Sequence, residues 1–154
     1  MIYYIIYTSV PSGEVSQKVV DEITETSIAW NTDHGITGML LCMEDQFLQL
    51  LEGDENDVNE IFEKIRQDSR HQNVSVRIRG YSDDRVFSEW SMGSWMLSNK
   101  NLNELSALED LKNHLADPVN TSLQSKKYFM MMENLLKTWI AHEPERAERL
   151  KGKS

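Results

Sequence analysis

Apolar positions along the chain recur at two spacings, every second residue or every third to fourth, and the changes of period mark its elements. Residues 2–8, Ile-Tyr-Tyr-Ile-Ile-Tyr-Thr, are β-branched and aromatic throughout and predict a strand, with Tyr3, Ile5 and Tyr7 on one face. Pro11-Ser12-Gly13 breaks it. A helix is predicted over 15–30, capped by Ser12 or Ser16. Its stripe Val20, Ile23, Ser27, Asn31 carries an amide to the start of the next strand. Two apolar runs, Ile36–Met43 and Phe47–Leu51, are separated only by Glu44-Asp45-Gln46, which predicts a hairpin of central strands covered on both faces. Glu52-Gly53 ends the hairpin, and Asp54 caps a helix running to about Asp68 with Val58, Ile61, Phe62 and Ile65 as its core face. On that helix Lys64, Asp68 and His71, at steps of four and three, are expected to lie above one another on a flank. Residues 74–79 alternate as a half-buried strand, and a linker over 80–88 leads to a last strand over 90–97.

The order strand, helix, strand, strand, helix, strand, strand predicts an α+β, ferredoxin-like sandwich: a five-stranded mixed sheet with two helices on one face. The remaining third differs. Leu102, Leu105, Leu108, Leu111 and Leu115 predict an amphipathic helix ended by Asp117-Pro118. A second helix, about 123–142, is apolar on more than one face through Tyr128, Phe129, Met130–Met132, Leu135, Leu136, Trp139 and Ile140. These two helices are expected to cover the sheet's other face. After Pro144 a charged tail is expected to fray. The chain thus divides into a core over 1–97, a helical region over 98–142 and a tail over 143–154.

With 154 residues, 40% hydrophobic and 27% charged, the chain has the composition of one ordinary globular domain. No run is long enough to span a bilayer, and the N-terminus has no basic flank of a signal peptide, which together predict a cytoplasmic protein. The net charge of −9 argues against binding of nucleic acid by the whole surface. Cys42, the only cysteine, has no internal disulfide partner.

Candidate chemistry centres on Gln49, an amide in the middle of an apolar strand and on the same face as Phe47 and Leu51. It either bonds a neighbouring loop or water, or awaits a polar ligand. Gly35 and Gly38 permit an unusual backbone angle or a close approach. No set of nucleophile, base and acid, no phosphate-binding glycine loop and no metal-spaced cluster is present; His34, His71, His114 and His142 are scattered. An acylphosphatase-like hydrolase would need an anion-binding loop that the sequence lacks.

Five separated motifs resemble one family: Tyr7-Thr8-Ser9; Asn31 followed by Gly35-Ile36-Thr37-Gly38; Phe47-Leu48-Gln49-Leu50-Leu51-Glu52-Gly53; Asp68-Ser69-Arg70-His71; and Phe87-Ser88-Glu89-Trp90-Ser91-Met92. The chain resembles the BLUF family of blue-light sensors from Ile2 to about Leu97. The resemblance implies a photoreceptor without turnover chemistry that holds oxidised flavin between the two sandwich helices, as FAD, with FMN and riboflavin as alternatives. Tyr7 then matches the photochemical tyrosine, Gln49 the switching glutamine, Asn31 the anchor of the flavin's polar edge, and Trp90 and Met92 the last-strand pair. Ile23, Phe47, Lys64, Asp68 and His71 fall at flavin-lining positions. Many relatives have arginine at the place of Lys64, and a polar residue at that of Trp30. The Asn-Cys-Arg motif of cysteine-adduct flavin sensors is absent. Output is expected to pass through the C-terminal helices to a downstream protein, or to a domain missing from this chain. The alternative is a light-insensitive interaction module, and in either case the Met-rich helix predicts a homo-oligomer.

Overall fold

A computed structural model describes residues 1–43, 45–97 and 122–152, with side chains from Phe129 onward in the last stretch. Its elements are β1 (Ile2–Pro11), α1 (Gln17–His34), β2 (Thr37–Cys42), β3 (Phe47–Gly53), α2 (Glu55–Gln67), β4 (His71–Ser82), β5 (Gly93–Met96), α3 (Ser122–His142) and α4 (Pro144–Leu150). The strands form one sheet in the order β4-β1-β3-β2-β5. All neighbours are antiparallel except β2 and β5, so the sheet is mixed and the fold is the expected ferredoxin-like sandwich.

Strand alternation sorts the side chains into two cores. Tyr3, Ile5, Tyr7, Leu40, Phe47 and Leu51 face α1 and α2, meeting Val20, Ile23, Val58, Ile61 and Phe62. Tyr4, Ile6, Met39, Leu41, Leu48 and Leu50 face the other way, against Met132, Leu135 and Trp139 of α3 and Ala147 of α4. Of the two helices expected on the second face, the one over about 123–142 covers it as α3, joined there by α4, and side chains of this size stabilise by about 1.5–3 kcal/mol each when fully buried. Two glycines are required by geometry. Gly35 ends α1 at φ 65°, and a Cβ on Gly38 would lie 2.1 Å from Leu50 O.

Four expectations are corrected. The first helix ends a turn later than expected, at His34, because Gly35 rather than Asn31 ends it; the amides of Gly35 and Ile36 both bond to Asn31 O. The second ends at Gln67, so Lys64, Asp68 and His71 do not share a helix flank: Asp68 is its C-cap and His71 opens β4. The last strand is only Gly93–Met96, leaving Trp90 and Met92 in the turns before it, since Gly38 N bonds Trp90 O instead of continuing a ladder. The charged tail is not frayed: Pro144, at the first helical position, starts a short helix that buries Ala147. The helix expected over 102–115 lies outside the described residues.

Candidate functional site

Tyr7 on β1 and Gln49 on β3 are direct cross-strand partners, so their side chains leave the sheet together toward α1 and α2. The Tyr7 hydroxyl donates to Gln49 Oε1, and Gln49 Nε2 donates to Met92 Sδ at 3.4 Å. All three residues are buried. Met92 Sδ can only accept, so it takes the amide N–H and leaves the amide oxygen to accept from the phenol. Burial, and after it the charge of Asp68, raises the Tyr7 pKa well above that of an ordinary phenol. Its proton therefore stays on the oxygen unless the ring is oxidised.

Between α1 and α2 lies a cleft of about 160 Å³ lined by Ile23, Thr26, Ser27, Trp30, Gln49, Ile61, Lys64, Ile65, Asp68, Arg70 and His71. Larger clefts elsewhere, between α2 and β4 and beside the C-terminal turn, contain none of the expected site residues. Of those residues the structure brings Ile23, Gln49, Lys64, Asp68 and His71 to the cleft wall. Tyr7 stands behind Gln49, and Phe47 packs edge-on to the His71 ring at 5.1 Å.

Asn31 sits one residue beyond Trp30 and is fully buried. Its Nδ2 donates to Ser91 O at 2.8 Å, whereas its Oδ1 has no partner. A buried acceptor left unpaired costs about 1–3 kcal/mol, so this atom is suited to a ligand's N–H. Trp90 points to the opposite face, 5.5 Å edge-on from Trp139, with Nε1 donating to Ala147 O at 2.7 Å.

The rim is charged and aromatic. Lys64 Nζ lies 4.7 Å over the Trp30 ring, whose plane also stacks on His34 at 3.6 Å. Asp68 is held below the usual carboxylate range, chiefly by the Arg70 side chain that grips both its oxygens. Burial lowers the His71 pKa, leaving a neutral ring with Nδ1 at 3.0 Å from Ser9 Oγ. Burial also pushes the Cys42 thiol up to about 12, so it is a packing group and not a nucleophile. Among the described residues no group of three or more side chains is placed to hold a metal ion, and no helix is long and apolar enough to cross a membrane.

Sequence reasoning gave no role to Glu52, Thr24, Ser94 or Arg146. Glu52 ends a strand as a buried carboxylate that accepts from Val86 N, Phe87 N and Thr37 Oγ1. A charge at the end of so apolar a strand was the one available signal for it. Arg146 lies in a charged tail where nothing distinguished it.

A family model described as "BLUF: Sensors of blue-light using FAD" matches residues 2–93. The chain is 32% identical over 120 residues to photoactivated adenylate cyclase subunit beta of Euglena gracilis, covering 77% of this chain and 14% of that protein. It is 33% identical over 92 residues to the blue light- and temperature-regulated antirepressor BluF of Escherichia coli (strain K12), covering 60% of this chain and 23% of that protein. The solved dark-state structure of BlrB, a BLUF protein, is similar with a TM-score of 0.60 and 31% identity, over 73% of this chain and 82% of that one. This chain therefore spans less than a quarter of the length of the two larger relatives, and the family match takes in β1 to β4, α1, α2 and the residues Tyr7, Asn31 and Gln49, ending at the first residue of β5. The chain belongs to the BLUF family of flavin-binding blue-light sensors.

Proposed function

We propose that this chain is a hydrogen-bond photoswitch in which Tyr7, Gln49 and Met92 are the moving parts and the flavin lies in the cleft between α1 and α2. The observation that carries the reading is the buried chain from the Tyr7 hydroxyl through the Gln49 amide to Met92 Sδ. The apolar Ile23, Ile61 and Ile65 of the wall fit the faces of a flavin ring, and Asn31, next to the wall residue Trp30 but not itself on the wall, has in its unpaired Oδ1 an acceptor of the kind an imide N–H would use. At about 160 Å³ the cleft is smaller than the roughly 300–1,000 Å³ typical of ligand sites, so seating the ring requires the Trp30–Lys64 rim to open. Nothing in the wall selects the adenine half, and FAD is favoured over FMN and riboflavin only by the family's description.

Bound flavin supplies light absorption and an excited state that accepts an electron. With flavin bound, Tyr7 would be the residue that supplies an electron, its Oη proton would have the existing bond to Gln49 Oε1 to move along, and return of both would leave no net oxidation. The Gln49 amide, by turning or by tautomerising, would then present a donor where it had an acceptor, and turning would also take its N–H away from Met92 Sδ. The BLUF domain is thus a sensor and not an enzyme.

In this reading sensing belongs to residues 1–97 and output to the C-terminal helices, toward a separate downstream protein or a domain outside this chain; the packing of α3 and α4 on the sheet supports it. Met130 and Ile140 of α3 are exposed apolar side chains that favour a homo-oligomer. The net charge of −9 weighs against nucleic acid, and a cytoplasmic location agrees with these features.

The test is the absorption spectrum of purified protein before and after blue light. The expected outcome is a flavin spectrum that shifts to the red without bleaching and returns in the dark, and loss of that shift in Gln49→Leu. A full reversible shift in Gln49→Leu would sink the mechanism.

A further inference from the structure

Met92 is flanked on both sides by residues that α4 holds. Two residues before it, Trp90 Nε1 donates to Ala147 O at 2.7 Å. Ala147 lies in the last turn of α4, where carbonyls lack partners within the helix, and Lys151 N bonds Glu148 O instead. The Trp90 indole therefore caps this helix. Two residues after Met92, Arg146 reaches round the end strand β5. Its Nε donates to Ser94 O at 3.0 Å, and its Nη2 donates to Ser94 Oγ at 2.6 Å and to Asp21 Oδ1 at 3.1 Å. Ser94 Oγ lies 2.9 Å from Thr24 Oγ1, which lies 2.6 Å from Val20 O.

Proton counting gives this chain a direction. A guanidinium only donates, each hydroxyl has one proton, and the Val20 carbonyl only accepts. Arg146 thus donates to Ser94, Ser94 to Thr24, and Thr24 to Val20, through two hydroxyls that are fully buried. The same helix α1 supplies Ile23 to the cleft and Asn31 to Ser91. Gly152 N adds a bond to Glu89 O at 2.7 Å.

We propose that Arg146 and Ala147 form a clasp that positions Met92 against Gln49 in the dark, and that α4 is the element released when the Gln49 amide changes. Arg146 is then a positioning residue for the switch. This rests on the flavin-switch reading above. A helix of seven residues has too few internal bonds to persist alone, so α4 stays ordered only while its anchors hold. Of the two changes open to Gln49, the clasp uses the turn of the amide: its oxygen then faces Met92 Sδ, two acceptors meet, and the segment 89–94 moves. That movement pulls on Trp90 and Ser94 together, the two points within it that hold α4 by side-chain hydrogen bonds.

The experiment is hydrogen exchange on the full flavin-loaded chain, in the dark and under continuous blue light, with the absorption shift recorded on the same sample. Exchange of the amides of 144–152 is expected to rise about tenfold or more in light. In Arg146→Gln it is expected to be fast already in the dark, and recovery from the red-shifted state to slow about tenfold. Trp90→Phe, which removes the indole N–H but keeps an aromatic ring, is expected to move both readouts the same way. Wild-type exchange over 144–152 that is unchanged by light, in a sample that does shift, overturns the clasp whatever the variants do. Absence of the shift itself overturns the flavin-switch reading instead.

Discussion

Tyr7 and His71 are kept neutral by one cause, removal from water, and the consequences differ because one is an acid and the other a base. For Tyr7 the outcome is a phenol that keeps its proton for the amide. For His71 it is a dependence of stability on pH. Its folded-state pKa is lowered, so the folded form binds fewer protons than the unfolded one. The stability contributed is present above the ordinary histidine range near 6.5 and is lost as pH falls through it. Burial acts in the opposite direction on Glu52 and Glu143, whose pKa values are raised, so the wild-type curve is a difference of these effects. His71→Gln isolates the histidine: the drop in urea midpoint between pH 7.5 and 5.5 is expected to be smaller in the variant, and an unchanged drop would show that His71 does not contribute. Gln49 was legible in the sequence as a polar group in an otherwise apolar strand, whereas Tyr7 and Asn31 were legible only through the family resemblance of the motifs that carry them. Ser94, Thr24 and Arg146 were not, because small hydroxyls and a tail arginine look alike whether solvated or buried.

At the scale of elements, the positions of strands and helices were read well and their ends less well. Asn31 ended an apolar stripe and so seemed to end a helix, but the left-handed Gly35 lies a turn further on. Trp90 and Met92 continued an apolar run and so read as strand, although neither joins the ladder. What holds them outside it is a set of long-range bonds that periodicity does not show. Glu52 is one of the anchors: it ties the backbone of Val86 and Phe87, a few residues ahead of Trp90, to the central hairpin. Glu52→Ala leaves those two amides unpaired in a buried place and is expected to destabilise by about 2–4 kcal/mol. Chemical denaturation measures this, and a loss under 0.5 kcal/mol, on the order of a surface substitution, would contradict the anchoring role. The seven residues of α4 were illegible for the complementary reason, since their order comes from Trp90, Ser94 and Asp21 rather than from their own pattern.

The whole molecule is a sheet with α1, α2 and the proposed flavin cleft on one face and α3 and α4 on the other, joined at the segment Glu89–Ser94. Ligand on one face must therefore report as stability of the whole. Flavin at a hundredfold excess over its dissociation constant is expected to add about 2.7 kcal/mol, which is roughly 5–10 °C in melting temperature for a chain of this size. Riboflavin, FMN and FAD compared in the same melt would rank the cofactors, and no shift with any of them would exclude binding in the cleft. The β5 strand has a second consequence. An end strand offers its unpaired carbonyls as a template on which a strand from another molecule can add, and the usual remedy is to fill or charge that border. Arg146 does both at Ser94. The seated guanidinium thus also guards the protein against strand-by-strand self-assembly, so the state that keeps α4 docked is the one best protected from aggregation.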